Sequence, residues 1–110
     1  MDGFSILAIK ALDCLDARAV VTAENIANAS TPGYRPMRLS FEEALRTAAT
    51  RGAKSVAAFA PALEQAPAGG EFRLDLEVAT ASSTALRYAA VIEVLKRHTE
   101  LQGLALRGNR

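Results

Sequence analysis

The chain of 110 residues is short of the side chains from which catalytic and metal sites are usually built. It has one cysteine, Cys14, which has no second thiol for a disulfide or a shared metal and sits among apolar positions as a small packing residue. It has one histidine, His98, set beside Val94, Leu95 and Leu101, where a packed or surface role explains it without catalysis. Gly69-Gly70 lacks the Lys and Ser/Thr of a phosphate loop, and no Asp-rich calcium loop or Cys/His zinc spacing occurs, so neither a cofactor nor a metal is expected. Aromatic residues are 5% of the chain, too few to interleave with the basic positions Arg35, Arg38, Arg46, Arg51 and Lys54 as a base-stacking surface would need. Net charge is +1 with both signs scattered, which argues against nucleic acid or an anionic membrane as partner. No apolar run nears the roughly 20 residues that span a bilayer, so direct membrane insertion is not expected. The start, MDGFSILAIKALD, has an acid at position 2 and no basic stretch before its short apolar segment, so export, if it occurs, is expected to need no cleaved signal peptide.

What is present is helix. Half of the residues are hydrophobic, with alanine over-represented, which suits close helix–helix contact better than a deep core. From about Phe4 to Ala29, Ala8, Leu12, Leu15, Ala19 and Ile26 recur at spacings of three, four or seven, predicting a narrow-striped amphipathic helix about 40 Å long. Ser30-Thr31-Pro32-Gly33 stops it, with Pro32 and Gly33 suited to the centre of a type II turn. Arg35-Pro36 then keeps the backbone extended, and Ser40 to Glu43 reads as a capping box opening a short helix from Phe41 to about Thr50. Residues 51–71, rich in Ala, Gly and Pro, predict a mobile connector with at most a brief helical turn. Asp75 is placed to cap a last long helix to about Leu106, with Leu86, Ala90, Val94 and Leu101 as a stripe to pair with the first. The carboxylate pairs Glu42-Glu43 and Asp75-x-Glu77 are explained by helix starts and need no acid–base role. The expected fold is all-α: two long terminal helices in an antiparallel hairpin or coiled coil, as one structural unit with parts 1–50, 51–71 and 72–110.

Ala23-Glu24-Asn25-Ile26-Ala27-Asn28-Ala29-Ser30-Thr31-Pro32-Gly33-Tyr34-Arg35 resembles the signature A-x-N-[IL]-A-N-x-x-T-P-G-Y of the flagellar rod and hook proteins, and lies as theirs does at the end of the first helix. Asn25 and Asn28, three apart, share a helix face from which both amides reach the next turn or a neighbouring helix, while Tyr34 can pack its ring and keep its hydroxyl wet. Leu74-Asp75-Leu76-Glu77 and Leu86-Arg87-Tyr88 are similar to the proximal rod branch of the flagellar basal body rod family, with departures at Phe72-Arg73-Leu74 and Val78.

The resemblance implies a structural, non-enzymatic subunit of the basal body rod in the periplasm, passed through the flagellar type III export apparatus. Its implied partners are copies of itself, other rod proteins and the basal-body adaptor protein. Asn25, Ile26, Asn28, Thr31, Pro32, Gly33, Tyr34, Arg87 and Tyr88 are the expected assembly motif, and Leu12, Leu15, Ala19, Ile26, Leu86, Ala90, Val94 and Leu101 the expected helix packing. Two other readings stay open: the sibling branch of the proximal rod, and a helical adaptor or export chaperone that never polymerises. Two helices on a loose connector bury little surface, so a free chain partly disordered until assembly is expected.

Overall fold

The computed structural model describes residues 1–108. Its elements are α1 (Gly3–Ala27), β1 (Met37–Ser40), α2 (Glu42–Arg51), α3 (Ala53–Ala57), β2 (Ala62–Gln65) and α4 (Leu74–Gly108). The two long helices form an antiparallel hairpin: Asp2 at the start of α1 meets His98 and Gln102 late in α4, while Asn25 at the other end meets Glu77 in the first turns of α4. The molecule is correspondingly long and flat, 64 × 26 × 14 Å.

α1 begins because the Asp2 carboxylate accepts from the Ser5 amide at 2.8 Å, satisfying one of the unpaired donors of a helix start. It ends at Ala27, two residues before the sequence expectation, because the Asn28 amide group bonds the Glu24 carbonyl and the chain turns there.

The all-α expectation needs correction, since β1 and β2 pair antiparallel in the register Met37↔Gln65 through Ser40↔Ala62. Pro36 helps set the extended entry, and the ladder continues beyond the strands as the Ala66 amide donates to the Pro36 carbonyl at 2.8 Å. Within residues 51–71, where composition predicts a connector with at most a brief helical turn, the chain forms the short α3 and then β2, which the sequence reading does not expect. Val56 of α3 is buried beside Phe41 and Leu45, which is what holds the segment down.

The capping box also fails. Ser40 ends β1, Phe41 takes the N-cap position without a side-chain hydrogen bond, and Glu43 turns outward to Arg46. Phe41 is needed elsewhere, because its ring lies in the core under the Arg18 guanidinium, 4.7 Å from the ring centre. Likewise Asp75 does not cap α4; it lies within the first turn, paired with Arg73 at 2.8 Å, and the helix runs on past Leu106 to Gly108.

The core is small and sits on one flank of α1: Cys14, Leu15, Phe41, Leu45 and Val56, with Val91 the α4 residue at its edge. Burial pushes the Cys14 thiol up from its ordinary range, consistent with an inert packing residue.

Candidate functional site

The turn after α1 is organised by one buried amide. Asn25 is 1% exposed, and its Oδ1 accepts from the Met37 amide at 3.0 Å and from the Tyr34 hydroxyl at 2.8 Å. Its Nδ2 donates to the Met37 carbonyl at 2.8 Å and to the Glu77 carboxylate at 3.1 Å. Every hydrogen-bonding position of the side chain is therefore filled, and it ties α1 to β1, to the turn and to α4 at once. The Tyr34 hydroxyl, which the sequence suggests stays wet, donates to Asn25.

Asn28 supports the same turn from outside. Its Nδ2 donates to the Glu24 carbonyl and its Oδ1 accepts from the Thr31 hydroxyl at 3.1 Å. The two asparagines thus do different work, one joining elements and one finishing the helix. Tyr34 donates its amide to the Thr31 carbonyl at 3.1 Å across Pro32-Gly33, and Gly33 has φ +75°, the combination of a type II turn. No atom crowds a Cβ at Gly33, so glycine is required there by backbone conformation alone. Ile26 is half-buried beside this turn.

Glu77, 2% exposed, completes the node by pairing with Arg38 of β1. The sequence reads it as a charge at a helix start, whereas in the fold it is a buried polar member of the α4 seam. The signal was its spacing: Glu77, Thr84, Val91 and His98 lie seven apart, and all four turn toward α1.

A second ionic node stands along the hairpin. Glu42 receives both Arg18 amino groups, at 2.6 and 2.7 Å, and Arg87 at 2.9 Å, while Arg18 Nε donates to the Leu39 carbonyl. The Arg18 pair, above all, pushes the Glu42 carboxyl down to about 2. Arg87 is thus explained as a bridge from α4 to α2. Tyr88 beside it is 39% exposed and borders a shallow groove with Leu15 and Ala19. At the far end of the hairpin His98 Nε2 lies 2.6 Å from Asp2, with the Phe4 ring 4.4 Å from the imidazole. The Ser5 amide and then His98 hold the Asp2 carboxyl well below the usual range.

The expected packing residues divide. Leu15 is buried, and Leu12 and Ile26 are half-buried. Ala19 and Ala90 are exposed, and Leu86, Val94 and Leu101 are 73%, 51% and 65% exposed. The apolar stripe of α4 therefore packs only marginally on α1 within one chain: Leu86 and Leu101 face away, and Ala90 and Val94 border an open apolar recess against Phe4, Ala8 and Ala11. α4 instead turns Glu77, Thr84, Val91 and Leu95 inward, because the buried Asn25–Glu77 bond and the Glu42–Arg87 pair fix its rotation.

Among the described residues there is no cluster of His, Cys, Asp and Glu able to hold a metal, and no helix long and apolar enough to cross a membrane. What the site offers is rigid joining of elements and an open apolar face, the arrangement of a structural subunit. Residues 7–35 match the model of the family described as flagella basal body rod protein, a span that covers most of α1 and the whole of the Asn25-centred turn. The resemblance read from the motif is thereby shown over that segment, which the chain shares with the flagellar basal body rod family. No curated protein is similar enough to the chain to count as a match.

Proposed function

We propose that the chain is a subunit of the proximal rod, of the kind called FlgB, assembling through its terminal helices into the shaft that transmits torque. The observation that carries the reading is the outward apolar face of α4, with Leu86, Val94, Leu101 and Leu104 each more than half exposed on a helix already fixed in rotation by its other side. A face of that kind is costly to leave in water and is suited to burial against neighbouring helices. Arg87-Tyr88 favours this branch of the rod over its sibling FlgC. On this reading the chain passes through the flagellar export apparatus and meets the basal-body adaptor protein and other rod proteins in the periplasm. The Asn25 node serves to hold α1, the turn and α4 in one geometry, so that each subunit presents the same faces.

Deleting the gene and imaging detergent-extracted basal bodies tests this. The expected result is a membrane-embedded base without rod, hook or filament, restored by supplying the gene. Complete flagella in the deletion strain would overturn the reading in favour of a non-polymerising adaptor.

A further inference from the structure

The outer face of α1 is acidic and apolar. Ile9, Asp13, Asp16, Val20 and Glu24 are all exposed on it, and the two basic residues of α1 are turned away, Lys10 to the Phe59 carbonyl and Arg18 to Glu42. The outer face of α4 is basic and apolar over a similar length, with Arg87, Ala90, Arg97 and Leu101. Arg87 spends one edge on Glu42 and Arg97 lies 3.6 Å from Glu93, yet their side chains remain 58% and 74% exposed.

The spacings correspond when one stripe is read backward. From Glu24 the α1 stripe steps four residues to Val20, seven to Asp13 and four to Ile9. From Arg87 the α4 stripe steps three to Ala90, seven to Arg97 and four to Leu101. Residues at steps of three, four and seven share a helix face, so an antiparallel pairing sets acid against base at two levels and apolar against apolar at two. At the Val20 level the hairpin has an apolar recess of about 270 Å³ between Phe4, Ala8 and Ala11 of α1 and Ala90, Val91 and Val94 of α4.

We infer that the occupant of this α4 face is the α1 outer face of a second copy of the chain, docked antiparallel with Glu24 near Arg87, Val20 over the recess and Asp13 near Arg97. This rests on the rod reading and names the contact by which it would propagate. Two different patches meet, so the contact is heterologous and repeats from subunit to subunit, in a ring or an open helical series, instead of closing as a two-fold dimer. The antiparallel sense also leaves neighbouring subunits pointing the same way along the shaft, because α1 and α4 already oppose each other within each chain.

The test uses basal bodies from cells that express together two variants with one added cysteine each, Val20→Cys and Ala90→Cys, treated with a short bis-maleimide; buried Cys14 is protected from the reagent. The expected product is a cross-link between the two variants, about tenfold or more above the like-with-like products of either variant expressed alone. In parallel, Asp13→Arg should lower assembly by a similar factor and Arg97→Asp in the same chain should restore it; both side chains are exposed, so folding is not at stake. Like-with-like cross-links, a different protein as the cross-linked partner, or a charge swap that fails to restore assembly would each overturn the inference while leaving a rod subunit in place. Absence of the chain from basal bodies would instead remove the rod reading beneath it.

Discussion

Asn25 and Glu77, 52 positions apart in the chain, meet in the α1–α4 seam with the amide donating to the carboxylate at 3.1 Å. Neither side chain has an apolar reason to be there. A polar pair in a helix seam is satisfied in only one register, because any slip leaves a buried amide and a buried carboxylate without partners. Here the pair also carries β1 through both backbone groups of Met37 and the turn through Tyr34, so one register of the hairpin fixes the whole N-terminal half.

Asn25→Asp tests this more sharply than truncation, since it keeps the shape and exchanges a donor for an acceptor. The new oxygen would face the Glu77 carboxylate and the Met37 carbonyl. We expect a loss of about 3 kcal/mol, read as a lower urea midpoint, from like charge and unmade bonds in a buried place. A midpoint within error of the parent would mean that water reaches the node freely.

At Gly33 the demand is conformational, and the size of a side chain is irrelevant because nothing crowds a Cβ there. Gly33→Val should cost about 1–3 kcal/mol, since a β-branched residue resists positive φ. Gly33→Asn should cost less than about 1 kcal/mol, because asparagine tolerates the left-handed region. Equal losses from the two variants in the same denaturation experiment would count against the type II turn.

Glu42 gives a pH dependence with a definite sign. Its ordinary value of 4.5 falls to about 2 in the folded chain, so folding favours the carboxylate. The stabilisation is whole above 4.5 and is lost as pH falls from there toward 2. Its side chain is 39% exposed, so screening by water leaves about 1 kcal/mol of it. Urea midpoints of the parent and of Glu42→Gln should differ at pH 7 and converge through this acid window.

Much of this was legible in the sequence because it is local. The type II turn follows from Pro32-Gly33, and the two long helices follow from runs with recurring apolar positions. The sheet was not legible: β1 and β2 are four residues each, separated by two helices, and their pairing is decided by where Val56 and Phe41 find a core. The rotation of α4 is not legible in the sequence, because hydrophobic periodicity alone points its apolar stripe as much toward α1 as toward a neighbour. The polar positions Glu77 and Thr84 occupy that seam, and a seam that buries a carboxylate is invisible to hydrophobic periodicity. Glu42 misled for a related reason, since an acid at a helix start is satisfied by the dipole until a guanidinium such as Arg18 offers a better partner.

α4 should be unevenly stable in the dilute chain. Its first half is held by Glu77, Thr84, Arg87 and Val91, whereas beyond the Asp2 contacts to His98 and Gln102 it carries Leu104 and Leu106 at 56% and 70% exposure. Hydrogen exchange should therefore be fastest in the last two turns, slower around Asn25 and Leu45, and slowed throughout α4 on assembly. Uniform protection along α4 in the free chain would contradict a helix whose distal end waits for a neighbour.

Leu12 and Leu101 separate folding from assembly. Leu12 is half-buried, so Leu12→Asp sets a charge in a partly desolvated place on α1 and should cost about 2–3 kcal/mol of stability, with assembly lost as a consequence. Leu101 is 65% exposed, so Leu101→Asp should leave the urea midpoint within about 0.5 kcal/mol of the parent. It should nevertheless reduce motility and incorporation into basal bodies, because on the proposed reading the same side chain is buried by a neighbour. A Leu101→Asp variant that folds normally and also assembles normally would show that the outer stripe of α4 stays in solvent, and the function would then have to be sought on the α2 and α3 side of the molecule.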